Sequence, residues 1–497
     1  MKRLVPIILL SAVVMIAAGM WMAHKDPSTP YTSNQEAWEA YEEGEFLLQA
    51  FRYVEAQEKL LEAVALDPEL AMARIAMAEL QIRMRNKDGY AEHYTLADSL
   101  TALVKDDKAR LLLEIRLSNA KVSRYHAFQD SLLALGQEQV PDDLIILLTL
   151  AYQAEKDNDL EARERIYNRI LEINPSYAGA YNSLGYLYLN QGRYDEAETA
   201  MRRYAFVAPD LANPNDSLGE VLMTIGRFEE AEVQFRTALA KQPDFYASLL
   251  NICQIYVARG EIDRAAELVE QNRELLKNTT WKQDIDLRYI YSLFEHRVTD
   301  ELDRTTARYL AEHNPDDHPD TYRRVLIRRY IGLGQLGSAI AFIDSSASNI
   351  KTKEWYKASE ISRHYADIEI NRYRALVAEG MQDYAQAAHL FKSCIDAAEG
   401  WPPHHLIFDR VHLAYNLVPL RAYDEARIQI NDAIKANTRI AEAALVAASI
   451  EAAAGETTKA RLLLNSVERM MELADPDFPV LNDAQALREQ LPDPDRI

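Results

Sequence analysis

The sequence predicts an all-α protein, an α-solenoid of stacked helix pairs, and three observations carry that expectation. The composition suits helices joined by short turns: 48% hydrophobic and 27% charged residues, with 16 Gly and 18 Pro over 497 positions. The length exceeds what one core serves, which leaves several domains or an extended array of small units. A fixed period then decides for the array. Pro175, Pro209 and Pro243 recur every 34 residues, as do Gly192, Gly226 and Gly260, and Ala197, Ala231 and Ala265; Gly185 and Gly219 keep the same step, with Cys253 in the third place. A helical unit of that length is a helix, a turn and a second helix. One such pair cannot bury its apolar stripe alone, so neighbours must stack, and stacking creates a long concave face.

Taken from the N-terminus, residues 1–25 read as a membrane anchor or a signal peptide. Lys2 and Arg3 precede an uncharged, mostly apolar run from Leu4 to Ala23, closed by His24, Lys25 and Asp26. A helix over that run reaches about 30 Å, enough to span a bilayer. Ala17, Ala18 and Gly19 offer a small-residue cleavage site to the rival reading, a signal peptide that is removed. No cysteine closes the run, so lipid attachment there is not expected. Either way, the basic residues ahead of the run put the rest of the chain outside the cytoplasm. The expectation is a single span in a bacterial inner membrane with a periplasmic C-terminal part, or a soluble periplasmic protein after cleavage. Residues 26–36 form a polar linker rich in Pro, Ser and Thr.

Repeats fill the remainder. Residues 37–143 hold N-terminal, partly degenerate units led by Ala56, Leu60, Ala63 and Pro68; residues 144–280 hold the clear central ones. Residues 281–400 are degenerate again, with weaker units marked by Ala339 and Ala387, and residues 401–497 hold C-terminal units and a tail, with Ala426 and Ala460 one period apart and Ala414 and Ala448 at their small positions. About twelve units fit between residues 37 and 474. The stretches 71–143 and 345–367 phase poorly, and Trp401-Pro402-Pro403 interrupts the array.

Each repeated position has a physical role. A small residue such as Gly185 lets the second helix approach at Ala197, proline ends that second helix, and Gly192 or Gly226 closes the first helix in a left-handed turn. With Leu218, Gly219, Ala231, Phe235, Ala238 and Pro243 in one unit and Tyr181, Leu184, Gly185, Tyr188, Ala197 and Pro209 in the unit before it, the chain resembles the tetratricopeptide repeat family. The resemblance implies a right-handed superhelix that binds proteins or peptides on a concave face lined by first helices. In the central units that lining would be Asn182, Tyr186 and Asn190, then Asp216, Glu220 and Met223, then Leu250 and Gln254. Some family members clamp the C-terminal carboxylate of a chaperone with basic and Asn residues. Glu220 and Gln254 stand in those places, so that function is not expected. The run from Tyr204 to Leu239 resembles, more narrowly, the repeat domains of bacterial membrane-bound regulators and receptor kinases. Only three residues precede the apolar run, so an effector is expected on a separate protein.

Seventy-seven acidic against 55 basic residues leave a net charge of −22, which repels phosphate backbones and excludes nucleic acid as an expected partner. Membrane contact is expected through the N-terminal segment only. Cys253 and Cys394 take apolar repeat positions and read as core thiols without a base beside them. His404 and His405 are adjacent, so they point apart on a helix, and His412 lies two turns beyond His405; an inter-repeat loop is preferred to a metal site. The acidic stretch from Asn314 to Asp320 lacks the spacing of a calcium loop and reads as a turn. No phosphate loop, nucleophile elbow or zinc-protease motif is present. No catalytic residue, cofactor or metal is therefore expected. The function expected is a non-catalytic scaffold or adaptor on the extracytoplasmic side of the membrane, or alternatively a sensing subunit of a signalling pathway with a separate effector.

Overall fold

A computed structural model describes residues 30–49, 52–84, 86–120, 126–276 and 281–492. The described residues are helical, with no β-strand, and divide into two compact units, the first ending at Ala180 and the second beginning at Tyr181. No helix among them is long and apolar enough to cross a membrane. The expected anchor or signal segment, residues 1–25, lies outside the described residues, as do the first positions of the linker.

The first unit stacks four antiparallel pairs: α1 (Gln35–Gln49) with α2 (Tyr53–Leu66), α3 (Ala71–Arg83) with α4 (Lys87–Thr101), α5 (Asp107–Ala120) with α6 (His126–Gln139), and α7 (Leu144–Lys156) with α8 (Leu160–Ile173). The end of the expected linker is held in place. The Asn34 side chain caps α1 by accepting from the Ala37 amide at 3.2 Å and donates to the Leu66 carbonyl at 2.9 Å, while Tyr31 stacks on Trp38. Arg116 of α5 ties three first helices together: it donates to Tyr41 of α1 at 2.7 Å and pairs with Glu45 of α1 at 2.7 Å and with Glu79 of α3 at 2.8 Å. A guanidinium so buried is tolerable only because its donors meet charged acceptors.

The second unit opens within α9 (Ala178–Asn190), which pairs with α10 (Tyr194–Val207). The following pairs are α11 (Asn213–Thr224) with α12 (Phe228–Lys241), α13 (Tyr246–Ala258) with α14 (Ile262–Leu276), and α15 (Trp281–Glu295) with α16 (Thr299–Glu312). Next come α17 (Pro319–Gly332) with α18 (Leu336–Ile350), the short α19 (Glu354–Ala358), and the 21-residue α20 (Glu360–Gly380) with α21 (Tyr384–Ala397). After a 3-10 turn at Pro403–Leu406, α22 (Ile407–Leu417) pairs with α23 (Tyr423–Ala436) and α24 (Ala441–Ala453) with α25 (Thr457–Met470), leaving α26 (Pro479–Gln490) as a single closing helix.

The repeated residues act as the period requires. Pro175, Pro209 and Pro243 each stand two residues past the end of a second helix. A Cβ on Gly219 would stand 2.6 Å from the stiff Phe235 ring, so glycine allows these two helices their approach, whereas one on Gly185 would stand 2.6 Å from the end of the flexible Met201 side chain. Ala197, Ala231, Ala265 and Phe235 are all fully buried. Burying the Phe235 ring contributes about 1.5–3 kcal/mol.

The second unit also closes on itself. Its C-terminal repeats lie against the turns of its early ones: the Asp475 amide donates to the Gly260 carbonyl at 2.9 Å, Arg439 pairs with Glu229 at 2.6 Å and Arg297 with Asp483 at 2.7 Å. Phe478, 2% exposed, packs over Gly260. Buried His296 meets Glu442 of α24 at 2.6 Å.

Candidate functional site

The first helices of the early repeats in this unit carry a connected row of polar side chains. The Ser217 hydroxyl donates to Asn182 Oδ1 at 3.2 Å, and the Tyr186 hydroxyl stands 2.5 Å from Glu220 Oε2 and 3.2 Å from Ser217 Oγ. Asn251 Nδ2 donates to the other Glu220 oxygen at 3.4 Å, Arg288 donates to Asn251 Oδ1 at 3.2 Å, and Ser248 donates to Asp216 Oδ1 at 2.6 Å. The row runs across α9, α11, α13 and α15. Burial, and then the neighbouring Glu220 charge, push the Asp216 carboxyl up to about 7 against the Ser248 and Asn251 hydrogen bonds and the Arg288 charge. Burial, followed by Glu220, likewise raises the Tyr186 phenol.

Of the eight side chains expected to line the concave face, Asn182, Tyr186, Asp216 and Glu220 belong to this row. Asn190 is exposed, and Met223 and Gln254 are half-buried. Leu250 corrects the expectation: it is 0% exposed and packs in the interior, so it has no surface to offer. Asn251, the next residue, faces the row instead. The signal for it was a second ladder at the same step, Ser183, Ser217 and Asn251, one position along from the ladder used to place Leu250.

A second feature comes from the degenerate repeats, where sequence phasing found no site. The ends of α15 and α17, the faces of α20 and α22, and the start of α26 line an open cavity of about 710 Å³, and an adjoining one of about 270 Å³ shares its wall. Ligand sites commonly fall in the range of about 300–1,000 Å³. Most lining charges are matched. Arg372 pairs with Asp409 through both carboxylate oxygens, Arg297 with Asp483 at 2.7 Å, and His412 with Glu379 at 2.9 Å. Burial opposes the His412 imidazolium, but the charge and hydrogen bond of Glu379 outweigh it and raise its pKa. Arg328 lies over the Tyr291 ring at 3.9 Å with Tyr373 at 5.2 Å, so aromatic faces hold its charge. Glu295 differs. Its side chain is exposed to solvent at the cavity wall and makes no hydrogen bond or ion pair to any described residue. Crowding by nearby protein groups raises its carboxyl above the usual range despite the charges of His296, Arg328 and Arg372, although the side chain keeps its access to solvent.

The other singled-out residues have structural settings. Cys253 and Cys394 are buried and unbridged, and burial pushes both thiols up to about 12. The His404 and His405 rings meet edge to face at 4.5 Å, and His412 faces Glu379 from the helix beyond. Among the described residues no group of three His, Cys, Asp or Glu side chains is placed to hold a metal ion. In the acidic turn the Asn314 side chain accepts from the Asp316 amide at 3.1 Å, and Pro319 opens α17.

Two segments of the sequence, residues 166–199 and 222–278, match family models of the tetratricopeptide repeat. No curated protein matches the chain. Among solved structures it is similar to the crystal structure of the APC/C hetero-tetramer Cut9-Hcn1, with a TM-score of 0.41 and 15% identity over 92% of this chain and 76% of that one. It is also similar to the crystal structure of PilW, described as a widely conserved type IV pilus biogenesis factor, with a TM-score of 0.28 and 17% identity over 51% of this chain and 99% of that one.

Proposed function

Because this chain carries tetratricopeptide repeats, we propose that it is a non-catalytic scaffold that binds proteins on the first-helix faces of its repeats, on the extracytoplasmic side of a bacterial-type inner membrane. One observation carries the reading: the polar row across α9, α11, α13 and α15, beside which Asn190, Met223 and Gln254 retain surface for a partner. A row already joined by its own hydrogen bonds offers a rigid floor, and a helix or extended segment laid along it would make its contacts at little ordering cost.

The test is site-specific photo-cross-linking in the full chain. A photoreactive residue replacing Asn190 or Gln254 is expected to trap a partner, and the same residue replacing Phe206, 75% exposed on the second helix α10, is not. Trapping from Phe206 alone would overturn the reading. The location rests on Lys2 and Arg3 ahead of the apolar run. A reporter that works only outside the cytoplasm, joined after Ile497, should be active, and activity of a cytoplasm-only reporter there would reverse the assignment. A second reading, a sensing subunit acting through a separate effector, is favoured by this solvent-open cavity of about 710 Å³, because a scaffold needs none.

A further inference from the structure

We propose that the pocket lined by α17, the start of α20 and the Trp401 turn binds an aromatic carboxylate, its acid group on the Arg328 guanidinium and its ring beside Tyr365 and Trp401. Two irregularities of the array meet there. α20 runs for 21 residues where the other helices that open pairs run for 11 to 15, and Trp401-Pro402-Pro403 breaks the repeat after its partner helix. The added turns of α20 bring Tyr365 against Trp401, with ring centroids 4.6 Å apart and planes inclined at 27°, and Tyr365 remains 54% exposed. The pocket beside this stack has a volume of about 430 Å³ and opens to solvent.

Arg328 gives the pocket its chemistry. Its side chain is 15% exposed, and its guanidinium carbon lies 3.9 Å from the centre of the Tyr291 ring. Such a contact meets the charge but supplies no oxygen to the N–H fork. The acceptors nearest that fork among the described residues are poor ones: the Arg324 carbonyl at 3.5 Å and Glu369 Oε1 at 4.0 Å, the second beyond hydrogen-bond reach. Glu369 is engaged elsewhere, because Arg324 pairs with its other oxygen at 2.9 Å and the Tyr373 hydroxyl donates to Oε1 at 3.0 Å. Arg372 is held by both oxygens of Asp409, and Glu295, exposed on the neighbouring cavity, makes no ion pair with Arg328. A guanidinium already fixed against a ring loses little freedom when it takes the two oxygens of a carboxylate, whose spacing its fork matches. Three arginines, Arg324, Arg328 and Arg372, against Glu369 and Asp409 leave one positive charge, which suits a monoanion. The exposed Tyr365 face offers a stacking surface to the body of the ligand. This site goes beyond the scaffold reading and does not depend on it.

Calorimetric titration of the full chain with 3-phenylpropionate, 3-phenylpropanol and 3-phenylpropylamine tests this. The acid is expected to bind at least about tenfold more tightly than the alcohol, the equivalent of one charge-assisted hydrogen bond, and the amine not at all. Arg328→Gln keeps a planar group beside Tyr291 and should abolish the preference for the acid. Tyr365→Ala, at an exposed position, should weaken binding of the acid at least about threefold with the helical dichroism unchanged, and it decides the matter if Arg328→Gln fails to fold. Equal affinity for acid and alcohol, an acid preference that survives Arg328→Gln, an acid affinity unmoved by Tyr365→Ala, or no binding of any probe would each overturn the proposal. A peptide ending in an aromatic residue carries the same chemical group, and acetyl-Ala-Ala-Phe separates the two sources: weaker binding than 3-phenylpropionate indicates a free acid, and tighter binding a chain terminus. Cross-linking from Gln254 should be unaffected by Arg328→Gln, so failure here and failure of the scaffold reading are distinguishable.

Discussion

Asp216 is 5% exposed and shares its space with Glu220, while Ser248 donates to it and Arg288 stands near. Burial and the Glu220 charge raise its carboxyl to about 7, against about 3.9 in an unfolded chain. The folded state therefore holds this proton more tightly than the unfolded state, so stability falls as pH rises from about 4 to about 7 and then levels off. Asn in its place keeps the acceptor for Ser248 and cannot ionise. Asp216→Asn should match the parent at pH 4 and exceed it by on the order of 2 kcal/mol at pH 8, read from urea midpoints at the two values. A constant offset at both would show that Asp216 is ionised throughout. The same network revises what a groove substitution can report. Tyr186 and Glu220 hydrogen-bond to each other, so removing either disturbs the row itself, whereas Asn190 and Gln254 can be altered without breaking it.

Among the helices, one turn recurs that glycine only partly reveals. Asn158, Gly192, Gly226 and Gly260 have positive φ and follow at intervals of 34; Arg297, Gly334, Gln382, Arg421 and Gly455 continue the series at 37, 37, 48, 39 and 34. Each joins the two helices of a pair through the same left-handed residue. Gln382, with φ 62° and an exposed side chain, carries strain that glycine would not. A left-handed non-glycine residue costs roughly 1–2 kcal/mol, and glycine returns part of that as unfolded-state entropy. Gln382→Gly should therefore raise the urea midpoint by the equivalent of about 0.5–1 kcal/mol, and an unchanged midpoint would mean that the turn is relaxed as it stands. Gly226→Gln should do the opposite, because its Cβ would stand 2.5 Å from Asn437. This series also explains what could be read beforehand. The helix pairs were legible wherever the turn residue was glycine at an even step, as from Gly192 to Gly260. They faded where insertions stretched the interval and Arg or Gln took the turn, since neither residue type signals a left-handed backbone. The polar row was legible to within one residue, Leu250 standing in for Asn251. The cavity was not legible at all: Glu295, Arg372, Asp409 and Asp483 meet only through the summed small rotations of successive repeats.

At the scale of the whole molecule, a simple repeat array is held by contacts between neighbours and its stability grows unit by unit. The second unit departs from that rule, because residues more than 140 positions apart bond across its closure. His296 meets Glu442, Arg439 meets Glu229, and Asp475 reaches both the Gly260 carbonyl and, through its side chain, the Asp263 amide. The His296 pair gives the closure a pH dependence. Burial alone would depress the imidazolium, but the charge and hydrogen bond of Glu442, with the Glu295 charge behind them, raise it; burial opposes the Glu442 carboxylate, and His296 lowers its pKa on balance. The histidine contribution is complete below about pH 6.5 and is lost as pH rises through its raised folded value; the Glu442 contribution is complete above about pH 4.3 and is lost as pH falls through its lowered folded value. Between those limits the closure is tightest. Phe478 sits at its centre, fully packed over Gly260 with its ring 6.4 Å from that of His296. Phe478→Ala should cost about 3–5 kcal/mol, as deletion of a buried ring does. Its signature is remote: if closure couples the two ends of the unit, hydrogen exchange at the Asp263 and Asp475 amides should quicken together, and more at pH 8 than at pH 6. If exchange quickens only within α24 to α26 and the Asp263 amide keeps its protection, the early repeats stand without the late ones, and the unit behaves as an open array.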